Sequence, residues 1–180
     1  MPENVQAFCK EGHFHDIEVE DDVTAFFEWK NGATGTFITS TGDAPGVNRL
    51  ELTFDEAMIV CEGGKLRIGS VEKAMGGKER DYRKTAADFF RHIEAEWTEE
   101  FFDKGKDSYI TILQNFADEI SGRGICVADG REGLKSLLLT NAMYLSSWKK
   151  RMIKIPAPGS EEELSFEKEF EEALSGKIKQ

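Results

Sequence analysis

A chain of 180 residues that is 39% hydrophobic and 32% charged can bury one good core, so a single domain over 1–180 is expected. No apolar run approaches the ~20 residues that cross a bilayer. A net charge of −11 with no basic stripe repels phosphate backbones, so neither a membrane nor a nucleic acid is an expected partner.

The chain opens with Met1-Pro2-Glu3-Asn4, which holds neither a basic n-region nor an apolar h-region, and a cytoplasmic location is the expectation. Val5 to Lys10 reads as the first strand. A hairpin follows: Val23, Ala25, Phe27 and Trp29 alternate with Thr24, Phe26 and Glu28, Asn31-Gly32 predicts a type I′ turn, and Ala33 to Ser40 returns antiparallel. Beyond the Thr41-Gly42-Asp43-Ala44-Pro45-Gly46 loop come strands at Arg49 to Phe54, Met58 to Cys61 and Lys65 to Ile68, the last two joined by Gly63-Gly64. Strands joined by such short turns cannot be parallel, because parallel neighbours need long crossovers. Cys9, Cys61 and Cys126, odd in number and widely spaced beside apolar neighbours, read as reduced core thiols rather than disulfides or metal ligands.

Phe89, Phe90, Ile93, Trp97 and Phe101 are spaced like one face of a helix. From Lys106 the period is clearly 3.6: Ile110, Leu113, Phe116, Ala117 and Ile120 form a stripe behind an Asp107 cap, and Gly122 stops the helix. A longer stripe, Leu134, Leu137, Leu138, Asn141, Leu145 and Trp148, starts from an Asp129-x-x-Glu132 capping box. Met152 to Ile155 returns as a strand, and Ser160-x-x-Glu163 starts an acidic terminal helix over about 160–174 carrying Leu164, Phe170 and Leu174. The expected fold class is α+β: a large, mainly antiparallel open sheet with helices covering one face. The face bearing Thr24, Phe26, Glu28, Thr34, Thr36 and Ile38 is left open.

Three polar groups invite a functional reading. His13-Phe14-His15-Asp16, with Glu18, Glu20, Asp21 and Asp22 nearby, offers metal-ligating atoms but no third ligand at recognisable spacing, so no metal is expected. Thr39, Ser40, Thr41, Asp43, Asn48 and Arg49 pair donors and acceptors on a loop braced by Gly42, Pro45 and Gly46, as polyol recognition requires, and Arg49 can clamp a carboxylate. The simpler alternative is loop bracing through Asx turns. Asn141 and Ser146-Ser147 lie within a helix, where hydrogen bonds to neighbouring backbone are expected of them.

The hairpin with its Thr-Gly-Asp-Ala-Pro-Gly sequel, together with Leu113-Gln114-Asn115-Phe116-Ala117 and Asn141-Ala142-Met143-Tyr144-Leu145-Ser146-Ser147-Trp148, resembles the C-terminal domain of the Gfo/Idh/MocA oxidoreductases. The resemblance runs from about Val5 to Leu174 and is weakest between Ser70 and Lys106. It implies the substrate-binding and oligomerisation half of an enzyme that acts on sugars, inositols and their derivatives with NAD or NADP. It also implies a homodimer through the open sheet face, and places His15 and Asp16 beside a pocket for a sugar-like molecule, with Asp43, Asn48 and Arg49 as further contacts.

A dinucleotide site needs a strand, a Gly-x-Gly-x-x-Gly turn and a helix N-terminus, and no such unit is present in the sequence. The family's catalytic lysine and histidine belong to segments upstream of the stretch that resembles Met1 to Val5, so the resemblance transfers no catalytic residue. The expectation is therefore a cut-down chain, inactive by itself and binding no cofactor, with NAD or NADP belonging to a full-length parent. Two rival readings stand beside it. One is a stand-alone dimeric small-ligand or interaction module without redox activity; the other is a cone-shaped α+β enzyme using His15 and Asp16.

Overall fold

The computed structural model describes residues 1–71, 95–101 and 108–178. In chain order the elements are β1 (Asn4–Glu11), β2 (Glu20–Glu28), β3 (Thr34–Ser40), β4 (Arg49–Thr53), β5 (Ala57–Glu62), β6 (Lys65–Ser70), β7 (Glu96–Phe101), α1 (Ser108–Ile120), α2 (Gly130–Lys149), β8 (Ile153–Lys154) and α3 (Glu161–Ile178). Every strand pair is antiparallel, and the α+β expectation holds. The strands are shared between two four-stranded sheets, ordered β3-β2-β1-β8 and β4-β5-β6-β7, with β3 and β4 each at an edge. The chain divides into two compact units, residues 1–44 with 118–180, and residues 45–117.

In the first unit the period-2 pattern decides which face is buried. Val5 pairs with Phe27 and Ala7 with Ala25, and these odd-numbered side chains turn toward α2. They meet Leu138, Ala142 and Leu145 on one stripe of that helix, with Ile153, Ile155 and Phe166 completing the core. Each large side chain so buried contributes about 1.5–3 kcal/mol. The even-numbered partners face the other way: Phe26 pairs with Thr36 and Thr24 with Ile38, and Phe8 and Ile38 are 63% and 70% exposed.

Serine chemistry on α2 closes the inner edge of β1. β8 pairs only with Asn4 and Val5, which leaves the later edge amides of β1 without a strand. The Ser146 hydroxyl accepts from Ala7 N–H at 2.9 Å and donates to the Arg151 carbonyl at 2.7 Å, while the Ser147 hydroxyl accepts from Cys9 N–H at 2.9 Å. Backbone groups that lack a neighbouring strand must find partners of some kind, and here a helix supplies them. The expected backbone role of Ser146-Ser147 is thus met.

Several expectations need correction. Asn31 is not at positive φ; Gly32 alone is, at 86°. Gly32 N–H donates to the Trp29 carbonyl and Trp29 N–H to the Ala33 carbonyl, so the loop is a three-residue turn closed by a left-handed glycine rather than type I′. The Asn31 side chain accepts from Ala33 N–H at 3.1 Å across this turn. The double positive φ occurs instead at Gly63-Gly64, with 60° and 79°.

Trp97 and Phe101 lie in β7, not in a helix, while Phe89, Phe90 and Ile93, like Asp107, fall outside the described residues. A spacing of four suits both periods, and a strand lets the Trp97 ring lie across Gly69, its direct partner, where an added Cβ would come within 2.9 Å of the indole.

The helix stripes also differ. Leu134 and Leu137 are exposed, and α2 buries Leu138, Ala142, Leu145 and Ser146 instead. On α3 the packed face uses Phe166, Phe170 and Ala173, with Leu164 exposed. The α1 stripe of Ile110, Leu113, Phe116 and Ile120 is exposed throughout. Asp129 caps α2 by accepting from Arg131 N–H, but Glu132 turns to Lys135 at 2.6 Å, so the cap forms without the reciprocal half of a capping box, and Gly122 stops α1 at a φ of 69°. All three cysteines are free and half-buried rather than deep in the core.

Candidate functional site

The loop between β1 and β2 is organised by one carboxylate. Asp21 shares the parity of Val23, Ala25 and Phe27, so the alternation of β2 carries it to the buried face, and it is 3% exposed. Gly12 turns at a φ of 56°, and the following amides fold back over Asp21. His13 N–H donates to Oδ1 at 2.8 Å, while Phe14 N–H and His15 N–H donate to Oδ2 at 2.7 and 2.9 Å. Burial works against the charged carboxylate, and the three backbone donors together with the His15 ring outweigh it, bringing its pKa down to about 2.

The same fold fixes His15. Its Nδ1 lies 3.1 Å from Thr41 Oγ1 and 3.4 Å from Asp21 Oδ2, and Thr41 is itself held by donating its N–H to the Asp21 carbonyl. The Phe14 ring sits on Gly42, where an added Cβ would come within 2.3 Å of it, so the two loops lock together. Thr41 and Asp21 both approach Nδ1. A nucleophilic relay of the hydroxyl–imidazole–carboxylate kind needs its partners on opposite ring nitrogens, so this cluster is not one. Nε2 has no partner among the described residues, and the His15 side chain is half exposed.

Of the predicted contacts, the structure brings His15 and Thr41 together. Asp16 and Asp43 are exposed on loops of the first unit, and Asn48 and Arg49 belong to the second. Arg49 is already engaged: its guanidinium binds Glu51 at 2.6 Å and Glu62 at 3.1 Å, and the hydrogen bond to Glu51 leads the causes that raise its pKa. A ligand carboxylate would compete with both glutamates. Sequence reasoning placed Asp21 among several acidic neighbours and missed its organising role; its parity with the buried side chains of β2 was the available signal.

An open cavity of about 600 Å³ lies beside this loop, lined among others by Cys9, Glu11, His13, Trp148, Lys150 and Lys177. Tyr144 donates to Glu20, and burial followed by that hydrogen bond raises the tyrosine pKa well above its usual value. Among the described residues no group of three His, Cys, Asp or Glu side chains gathers to hold a metal, and no helix is long and apolar enough to cross a membrane. Among the described residues these glycines do not form a pyrophosphate cradle: Gly32 and Gly35 lie in the first hairpin, Gly63-Gly64 joins β5 to β6, and Gly122 and Gly124 follow a helix rather than a strand.

Residues 1–60 match the family model described as the GFO/IDH/MocA C-terminal domain. No curated protein matches the chain. Among solved structures, the fold is similar to levoglucosan dehydrogenase in complex with NADH and levoglucosan, with a TM-score of 0.64 at 15% identity over 87% of this chain and 45% of that one. An oxidoreductase from Agrobacterium radiobacter in complex with NAD+, L-tartaric acid and magnesium gives 0.59 at 18% identity, over 86% and 43%. Aldose-aldose oxidoreductase from Caulobacter crescentus complexed with glycerol gives 0.60 at 17% identity, over 85% and 41%. At these identities the likeness is one of fold, and the chain spans less than half the length of each of these structures.

Proposed function

We propose, from the premise that this chain carries a Gfo/Idh/MocA C-terminal domain, that it is the substrate-binding and dimerisation part of an NAD(P)-dependent sugar or polyol oxidoreductase. The observation that carries the reading is the family match over residues 1–60, the stretch that also holds the Asp21-organised loop. The three solved structures support it, since each is an oxidoreductase or dehydrogenase and two contain a nicotinamide cofactor.

His15 and Asp16, with Asp43, Asn48 and Arg49, are the proposed contacts to a hydroxylated small molecule. Hydroxyl-rich ligands are bound by a few fixed polar groups, and the His15 ring is held in place by Thr41 and Asp21. Hydride transfer would belong to the nicotinamide and not to this chain, whose described residues offer no cradle for it. The site of action would be the cytoplasm.

The open face of the first sheet is the proposed dimer surface. Phe8, Phe26 and Ile38 lie on the side opposite α2, and a patch of this kind is costly if left wet. A two-fold pairing of the same face on two copies would cover it.

The test has two arms. Light scattering should report a mass near twice 20.3 kDa, falling toward a single chain in Ile38→Lys. Calorimetric titration with NADH should show no heat from this chain. A stable monomer would sink the dimer, and micromolar NADH binding would sink the division of labour.

A further inference from the structure

We propose that Asp21 is a positioning residue that holds His15 in its Nδ1–H tautomer, so that Nε2 offers a hydrogen-bond acceptor to a ligand hydroxyl. The inference rests on the reading of His15 as a pocket contact and adds the direction of the hydrogen bond.

The geometry decides the tautomer. The Asp21 carboxylate is buried, anchored by three backbone N–H groups and, when ionised, able only to accept. Its Oδ2 lies 3.4 Å from His15 Nδ1. A lone pair on Nδ1 would face that fixed negative charge, whereas a proton there is attracted by it and donates to Thr41 Oγ1 at 3.1 Å. Thr41 can receive this bond because a hydroxyl both donates and accepts. A neutral imidazole with its proton on Nδ1 presents a lone pair on Nε2, and that nitrogen has no partner among the described residues. Polyols supply hydroxyl donors in quantity, so the chemistry matches.

The position of Asp21 also makes the arrangement rigid. Its side chain holds the backbone at His13, Phe14 and His15, so the ring it orients hangs from a loop that it has itself fixed. The Phe14 ring seated on Gly42 holds the loop bearing Thr41 in the same register.

Long-range proton–nitrogen correlation spectra of the uniformly 15N-labelled chain, at a pH well above the imidazole range, read the tautomer directly. The expected result is a proton on His15 Nδ1 in the wild type and in Thr41→Val, where Asp21 remains. In Asp21→Asn the population should move toward Nε2–H by roughly tenfold, the scale of a hydrogen bond to a charged group. An Nε2–H tautomer in the wild type overturns the proposal, as does an unchanged tautomer in a folded Asp21→Asn. Should Asp21→Asn fail to fold, the wild type and Thr41→Val decide between the tautomers.

Addition of myo-inositol or D-glucose should then shift the His15 Nε2 resonance and leave that of Nδ1 in place. An Nδ1–H tautomer with no response to either probe retains the role of Asp21 and overturns the ligand contact, and with it the pocket reading.

Discussion

The two sheets share a device and differ in how they are held. In each, a tryptophan lies against a strand glycine: Trp29 reaches Gly35, where an added Cβ would stand 3.1 Å from the ring, and Trp97 covers Gly69. Such pairs restore the contact area that a glycine lacks. The first sheet then buries a continuous stripe of aliphatic side chains beneath α2. The second, among the described residues, contributes only Val60 to the buried apolar set. Its surface is laced instead with exposed partners: Arg67 over Trp97 at 4.7 Å, Lys65 over Phe101 at 5.0 Å, and Arg49 between Glu51 and Glu62. Exposed ion pairs are worth about 0–1 kcal/mol each. Among the described residues, two sheets of equal strand number thus rest on terms of different size.

The largest expected effect follows from that difference. Leu145 is fully buried at the centre of the first core, so Leu145→Ala should cost about 2–5 kcal/mol in urea unfolding. Leu52, 41% exposed on β4, should lose less than about 1 kcal/mol on the same change. Equal losses would break the comparison and mean that the second sheet has a core of its own.

A smaller effect sharpens it. Ser146→Ala removes the acceptor for the buried Ala7 N–H and the donor to the part-buried Arg151 carbonyl, at a cost of about 1–3 kcal/mol. Ser147 is half-buried, and its loss should cost less. Amide exchange should locate both changes, with Ala7 faster in the first variant and Cys9 in the second. Unchanged exchange at either amide would remove the helix from its role in closing the strand edge.

How far this was legible in the sequence depended on the length over which a pattern persists. The β1–β2 alternation ran for several residues with one buried parity, and the strands and the face toward α2 followed from it, while the Asp129 cap followed from its own short motif ahead of a 3.6-period stripe. Where two periods agree locally, the pattern could not choose: Trp97 and Phe101 fit a helix face as well as a strand, and Gly69 as a partner for the indole was visible only once β6 and β7 were paired. At Asn31-Gly32 the dipeptide suits both a two-residue and a three-residue turn, and the backbone bonds of Trp29 to Ala33 and Gly32 settle which one forms. At the candidate site His15 was reached through the family resemblance, whereas Asp21 was passed over because acidic residues surround it. Its distinction is parity, a property of the strand and not of the residue.

The smallest effect concerns that parity. The pKa of Asp21 is lowered in the fold to about 2, against an ordinary aspartate near 3.9. The stability it contributes is therefore fully present above about pH 4 and lost as the pH falls through about 2, since the unfolded chain takes up the proton first. Asp129 is also lowered to about 2, chiefly by its hydrogen bonds to the Arg131 side chain and backbone, but it stands exposed, where solvent screens it. The protection of the His13, Phe14 and His15 amides, taken against their intrinsic exchange rates, should accordingly fall between pH 4 and 2, and more steeply than that of Arg131. In Asp21→Asn the loop should exchange faster at every pH and show no such step. If the wild-type loop also lacked the step, the carboxylate would not be what folds the loop, and the contrast between a buried organising charge and an exposed capping one would fail at the place where the candidate site begins.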